Sequence, residues 1–278
     1  MALVKFITVF DDESLSLMNK DVVERYNISL WPAAYDDDTC TYIDFFHTNS
    51  VKYFEHKQRC DCITEPGLSY KLFQLALETA YNDGYSLAMI ICPNRKWYPY
   101  YKDAVRAVEN FRRRINKDFT TFRMRVVDTQ AFAAGSLYHT IRLARLHVND
   151  HCPSGIIEED AKCFKSKMLC LTESGEKFGY KNGRLSAFRV FGKRFYNMDV
   201  SESVDFVVFE NFAKSAAKFI RLSGGKYLVS VGADCTFAAN ILGRIERIVG
   251  APPIATVQYS VASAAILGLR SICIHLIE

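Results

Sequence analysis

Apolar positions along the chain fall into two alternating rhythms. Short continuous runs at Val4–Phe10, Ile28–Pro32, Leu87–Cys92 and 122–127 have the length and aliphatic character of strands buried on both faces. A further strand is read at 42–46. Between the strands, residues 69–82 place Leu72, Phe73, Ala76, Leu77 and Ala80 at three- and four-residue spacing, with Gly84 as the stop signal. Residues 101–114 and 131–146 give the next two helices. This rhythm predicts a doubly wound, mostly parallel α/β sheet with right-handed crossovers. Such sheets hold ligands beyond the carboxyl ends of their strands, which here carry Asp11-Asp12, Pro93-Asn94 and Asp128-Thr129.

The pattern changes at the turn-rich stretch Asp150-His151-Cys152-Pro153-Ser154-Gly155. We therefore expect an N-terminal α/β domain over 1–150 and a C-terminal α+β domain with a mixed sheet over 151–278. The second part opens with the segment 163–172, followed over 175–194 by a basic stretch punctuated by glycine. A helix is predicted at 209–222, a strand at Tyr227–Val231 and a helix at 237–249. Strands at 254–259 and 272–277 flank an Ala-rich segment at 262–269.

Composition narrows the class. The chain has 278 residues, of which 49% are hydrophobic and 24% charged, values of a globular protein able to bury a core without disulfides or metal. A net charge of +4 with dispersed basic residues does not suggest nucleic acid, and Arg112-Arg113-Arg114 reads as a solvated helix end. The nine cysteines include no Cys-x-x-Cys, and Cys92, Cys170 and Cys273 lie in apolar runs as small hydrophobes. Reduced thiols and an N-terminus unlike a signal peptide point to the cytoplasm. No run of 18 apolar residues suggests a membrane span.

The six histidines show no metal-ligand spacing, so no metal or cofactor is expected, and His275 reads as a satisfied core or edge residue. Neither a dinucleotide fingerprint, a Walker loop nor a nucleophile elbow occurs; Ser223-Gly224-Gly225-Lys226 reads as a turn and Ser136 as structural. Asp11, Asp12 and Asp128 could converge at one sheet edge. There they either cap following helices through backbone N–H groups or bind a metal for hydrolytic chemistry.

The order of elements resembles the DegV family over nearly the full length. The family's Asp-Ser-Thr after the first strand is similar to Asp11-Asp12-Glu13, and its Val-Pro-Leu strand resembles Leu30-Trp31-Pro32. Its Thr-Ser-Gln-Pro-Ser loop falls on Ile63-Thr64-Glu65-Pro66-Gly67, and its Leu-Ser-Gly-Thr-Tyr-Gln-Ser-Ala on 97–104. The family's Val-Ile-Asp-Ser resembles Val126-Val127-Asp128-Thr129, and its Gly-Gly-Arg-Ile-Ser resembles Asn182-Gly183-Arg184-Leu185-Ser186. The His-Thr-Gly-Pro-Gly-Ala-Leu-Gly motif falls on 261–268, where Leu267 and Gly268 remain.

The resemblance implies two domains with a ligand tunnel between them and a non-enzymatic protein that binds a long-chain fatty acid. It also implies a fatty acid kinase subunit as partner, to which the carboxylate is presented. Thr64, Tyr98, Tyr100 and Arg184 stand at the positions that would bind the carboxylate. Such a group in low dielectric needs several donors, while the tail needs only an apolar cavity. The departures are chemical: Tyr98 and Tyr100 replace Ser and Thr, and Val261 replaces His. Bulky Trp97, Tyr98 and Tyr100 could narrow the head-group site, leaving a different amphipathic ligand, or a regulatory interaction module, as the alternatives.

Overall fold

A computed structural model describes residues 3–10, 20–44, 48–115, 122–173, 185–192, 194–198 and 205–277. The first part of the chain runs β1 (Val4–Phe10), α1 (Lys20–Arg25), β2 (Ile28–Pro32), β3 (Ala34–Asp36), β4 (Thr41–Ile43), α2 (Ser50–Arg59) and α3 (Tyr70–Asn82). It continues with β5 (Leu87–Cys92), α4 (Tyr100–Ile115), β6 (Arg123–Asp128), α5 (Ala133–Val148) and α6 (Ser154–Cys163). Strands β2-β1-β5-β6 form a wholly parallel sheet in that order, and β3 and β4 form a separate antiparallel pair.

All six residues of β5 are buried, because both faces of the strand are covered. Ala88, Ile90 and Cys92 pack with Phe73 and Leu77 of α3 and with Val108 and Phe111 of α4. Leu87, Met89 and Ile91 point the other way, toward Leu137 and Ile141 of α5 and Ile157 and Ala161 of α6. Burial also pushes the Cys92 thiol pKa up, so this sulfur stays protonated and behaves as a small apolar side chain.

The second part runs β7 (Lys167–Thr172), β8 (Ser186–Phe191), β9 (Arg194–Met198), α7 (Asp205–Leu222), β10 (Tyr227–Val231), α8 (Cys235–Val249), β11 (Thr256–Gln258), α9 (Val261–Leu267) and β12 (Ser271–Leu276). Its mixed sheet has the order β11-β10-β12-β7-β8-β9, with only β10 and β11 parallel. Leu169, Leu171, Ile272 and Ile274 face α7 and α8. Met168, Cys170, Phe188 and Cys273 face the opposite way and join the same apolar cluster as β5, α3 and α4. The α/β class and the mixed second sheet thus match the sequence pattern.

Helix α6 is anchored to the first sheet, since Glu158 pairs with Arg123 at 3.2 Å and Arg125 at 2.6 Å on β6. The strands of the second sheet begin after it. A domain division at residue 150 is therefore a proposal that would assign α6 to the second unit although its buried residues pack on the first.

Helix α5 lies between the two sheets. Leu137 and Ile141 pack toward the first, whereas Ala134 meets Leu228 and Val257 of the second. The Ala134 N–H donates to Ser230 Oγ at 3.2 Å, and Ser230 Oγ lies 2.8 Å from His275 Nε2. His275 is thus a core residue, as expected, but only half satisfied: its Nδ1 is buried with no hydrogen-bond partner among the described residues. A Cβ at Gly135 would lie 2.9 Å from that same Nδ1 and 3.2 Å from Ala131 Cβ, so this turn of α5 touches β12 only because it lacks a side chain.

The crowding at Gly135 and the open space at Gly243 give opposite expectations. Gly135→Ala should destabilise the protein by about 1–2 kcal/mol in urea denaturation, as overpacking outweighs the gain in helix propensity. Gly243→Ala, in α8 with no atom within 4 Å of the added Cβ, should stabilise it by about 0.5–1 kcal/mol. A further prediction concerns pH. His139 and His275 are both pushed down to about 3, His275 by burial and His139 by burial and then by the Arg142 charge. Unfolded histidine titrates near about 6.5. Between those values the unfolded chain binds more protons, so stability should be full above about pH 6.5 and fall progressively toward pH 3. His275→Gln should reduce the slope of stability against pH by about one proton over that window.

Candidate functional site

The carboxyl edge of the parallel sheet is laced by its own loops. Thr129 sends both its N–H and its hydroxyl to Cys92 O, each at 3.0 Å. Asn94 N–H donates to Ala131 O at 2.8 Å, and its side-chain amide donates to Gln130 O at 3.2 Å. Asp128 Oδ1 accepts the N–H groups of Gln130 at 2.9 Å and Arg95 at 3.3 Å, and Oδ2 faces Arg95 Nε at 3.4 Å. Asp128 therefore ties the β5 and β6 loops together. It does not cap α5, whose N-cap position is Phe132, with no side-chain bond. Ser136 accepts a hydrogen bond from Thr129 Oγ1 and is structural in that sense. Asp11 and Asp12 lie outside the described residues. Among the described residues no group of three or more His, Cys, Asp or Glu side chains gathers as a metal cluster.

Three segments from distant parts of the sequence meet beyond this edge: the loop 63–67, the loop 93–99 leading into α4, and α9 of the second sheet. Tyr98 and Tyr100 are buried among them, their rings stacked with centroids 5.7 Å apart, and Tyr98 also lies 5.7 Å from Phe132. The Tyr98 hydroxyl and Ser263 Oγ are 2.6 Å apart, a short bond between the two halves of the molecule. Ser260 caps α9 by accepting the Ser263 N–H at 3.2 Å, and the Val261 N–H donates to buried Asp44 Oδ2 at 2.7 Å. Asp44 follows β4, so the β3–β4 pair is pinned to α9 as a flap. Tyr35 from that flap and Tyr53 from α2 pack with Val261.

The residues expected to form the head-group site are only partly brought together. Tyr98 and Tyr100 share one cluster. Thr64 sits on the adjoining loop but is exposed, with its Oγ1 accepting the Asp36 N–H at 2.8 Å. Arg184 lies outside the described residues. The space bounded by Pro66, Trp97, Tyr98, Pro99, Ala262 and Ile266 is about 10 Å³, room for one water. The Trp97 and Tyr98 rings line what is left of the volume between the loops. The Tyr98 hydroxyl is already engaged as well, through its bond to Ser263. Ser263 and Asp44 were missed as members of this constellation. The spacing Ser260-x-x-Ser263 is a readable capping signal, but nothing local marks Asp44, whose partner lies 217 residues away.

No family model and no curated protein matches the chain. Solved structures do. A stearic-acid-binding protein from Eubacterium ventriosum aligns with a TM-score of 0.77 at 10% identity, covering 99% of this chain and 98% of its own. A DegV family protein from Thermus thermophilus, described by its fatty acid binding, gives 0.72 at 14% identity with 98% of each chain covered. DegV from Bacillus subtilis, described as a fatty acid binding protein, gives 0.68 at 12% identity with 99% of each covered. The chain therefore has the DegV fold over its whole length.

The bond between Tyr98 and Ser263 can be weighed by a double-mutant cycle. Tyr98→Phe and Ser263→Ala should each lower stability by about 1 kcal/mol, and the double variant should lose less than their sum, with a coupling of about 0.5–1.5 kcal/mol in urea denaturation.

Proposed function

We propose that this chain is a binding protein for a long-chain fatty acid, without catalytic activity of its own, that presents the carboxylate to a separate kinase in the cytoplasm. The observation that carries the proposal is the convergence of loops 63–67 and 93–99 with α9, in a fold shared end to end with proteins described as binding stearic, vaccenic and heptadecanoic acids. On this reading Thr64, Tyr98, Tyr100 and Arg184 supply donors to the carboxylate, and the tail enters the apolar seam between the sheets. No described helix is long and apolar enough to cross a membrane. Entry of an acyl chain requires the Tyr98–Ser263 bond to open and the Trp97 and Tyr98 rings to swing aside.

One observation favours a second reading. A ligand site is ordinarily about 300–1,000 Å³, against the 10 Å³ found here. In that reading the seam is sealed and the protein acts through contacts with other proteins.

Native mass spectrometry of the purified protein, with lipid extraction, separates the two. Fatty-acid binding predicts one acyl chain per protein, and a rise in Tm of the delipidated protein when stearate is added, since a ligand of the native state stabilises it. Tyr98→Ser keeps a hydroxyl and removes the ring. It should cost about 3 kcal/mol or more in stability while tightening stearate binding. Stearate binding by Tyr98→Ser but not by the parent protein would establish the sealed reading. Failure of both proteins to bind any long-chain acid would overturn the proposal.

A further inference from the structure

Two cysteine sulfurs meet at the surface where α2 ends. Cys60 is the C-cap residue of that helix. Its N–H bonds to His56 O at 3.0 Å, and its backbone is extended, with φ −136° and ψ 120°. In extended backbone, residues i and i+2 project to the same side. Cys60 Sγ and Cys62 Sγ accordingly face each other at 2.7 Å across the single residue Asp61. Both are free thiols, Cys62 exposed and Cys60 half-exposed. The pair stands at the entry to loop 63–67, where Thr64 Oγ1 is held by the Asp36 N–H.

The other cysteines differ. Exposed Cys40, Cys163 and Cys235 have no second cysteine sulfur in contact among the described residues, and Cys92, Cys170 and Cys273 are buried. A single surface thiol can only take an adduct, whereas two adjacent thiols can close a bond on themselves. The Cys62 thiol pKa is pushed up to about 11, first by its hydrogen bond to Cys60. The proton therefore rests on Cys62, which leaves Cys60 as the attacking sulfur. A ring closed over one intervening residue removes little chain entropy. Being small and open to solvent, it belongs with the easily reduced disulfides and not with the structural ones.

We propose that Cys60 and Cys62 form a reversible dithiol–disulfide site whose oxidant is a small-molecule disulfide, RS–SR. The Cys60 thiolate attacks one sulfur of the reagent: the bond from Cys60 to SR forms, the reagent's S–S bond breaks, and RS⁻ leaves and takes up a proton. Cys62 then gives its proton to solvent, and its sulfur attacks Cys60 Sγ. The Cys60–Cys62 bond forms, the bond to SR breaks, and a second RS⁻ leaves and is protonated. Two electrons pass from the two cysteines to the reagent, which is reduced to two RSH. This proposal does not rest on fatty-acid binding.

The test treats the full chain with oxidised glutathione, alkylates the remaining thiols with iodoacetamide, and reads a non-reducing tryptic digest by mass spectrometry. Cleavage after Arg59 and Lys71 places both cysteines in the peptide 60–71 and Cys40 in another. The peptide 60–71 should lose two hydrogens and both alkylation sites, and dithiothreitol should restore them. Cys62→Ser should stop at the first step, with one glutathione retained on Cys60. Cys163, an exposed thiol without a neighbour, should carry an adduct at most. Circular dichroism would verify that the variant is folded, and Cys62 is a surface side chain. A peptide 60–71 that keeps both thiols would overturn the proposal. So would one that ends as a glutathione adduct in the parent protein, or one cross-linked to the peptide that holds Cys40.

Discussion

A single apolar cluster runs from the parallel sheet into the mixed one, and the rest of the molecule is arranged around that continuity. Ile90 of β5, Phe111 of α4, Tyr98, Tyr100 and Phe132 at the strand edge, and Phe188 and Cys170 of the second sheet belong to it together. Side chains in such a core are packed at crystal-like density. The two halves therefore do not behave as independent bodies joined by a hinge, and volume in the seam is contested. Each methylene that a ligand places there must take the room of an aromatic ring already buried. The polar ties across the seam, Tyr98 to Ser263 and Val261 to Asp44, have little water nearby to replace them once broken.

Much of this architecture was legible because burial and local pattern coincide. The run Leu-Ala-Met-Ile-Ile-Cys is β5 residue for residue, and β1, β2 and β10 also have the bounds that their apolar runs indicate. The helices α3, α4 and α5 shift by only one or two residues. What was not legible lacks either length or two buried faces. Strands β3 and β4 have three residues each. The turn joining them is built by Asp37 Oδ1, which accepts from the N–H groups of Thr39 and Cys40 and from the Thr39 hydroxyl. Helix α2 announces itself through Asn49, whose side chain caps Lys52 N–H, but its body carries few apolar residues. Strand β9 is an edge with mostly exposed side chains and no alternation to read.

The candidate site divides in the same manner. Motif order pointed to 63–67, 97–104 and 261–268 as parts of one site, which is a matter of topology. Whether an aromatic side chain at a given loop position points inward is a matter of packing, and sequence spacing carries no such information. Tyr98 and Trp97 are adjacent, yet only the first is deeply buried. Asp128 illustrates the intermediate case. A carboxylate at a strand end was expected to accept backbone N–H groups and does, but from two loops rather than from the helix that follows.

The position of β12 has a consequence for how the chain is made. It is the last of the described strands in sequence, yet it lies between β10 and β7 in the sheet. Until Ser271–Leu276 emerges from the ribosome, β7 and β10 have no common neighbour, and each holds an unpaired row of amide groups beside an apolar face. Helix α5 meanwhile lacks the His275 surface against which Gly135 packs. The sheet order therefore cannot be completed before this strand has been made, even though the neighbouring β8 and β9 pair locally. During synthesis this open gap is the place where nascent chains would pair with one another or recruit a holdase.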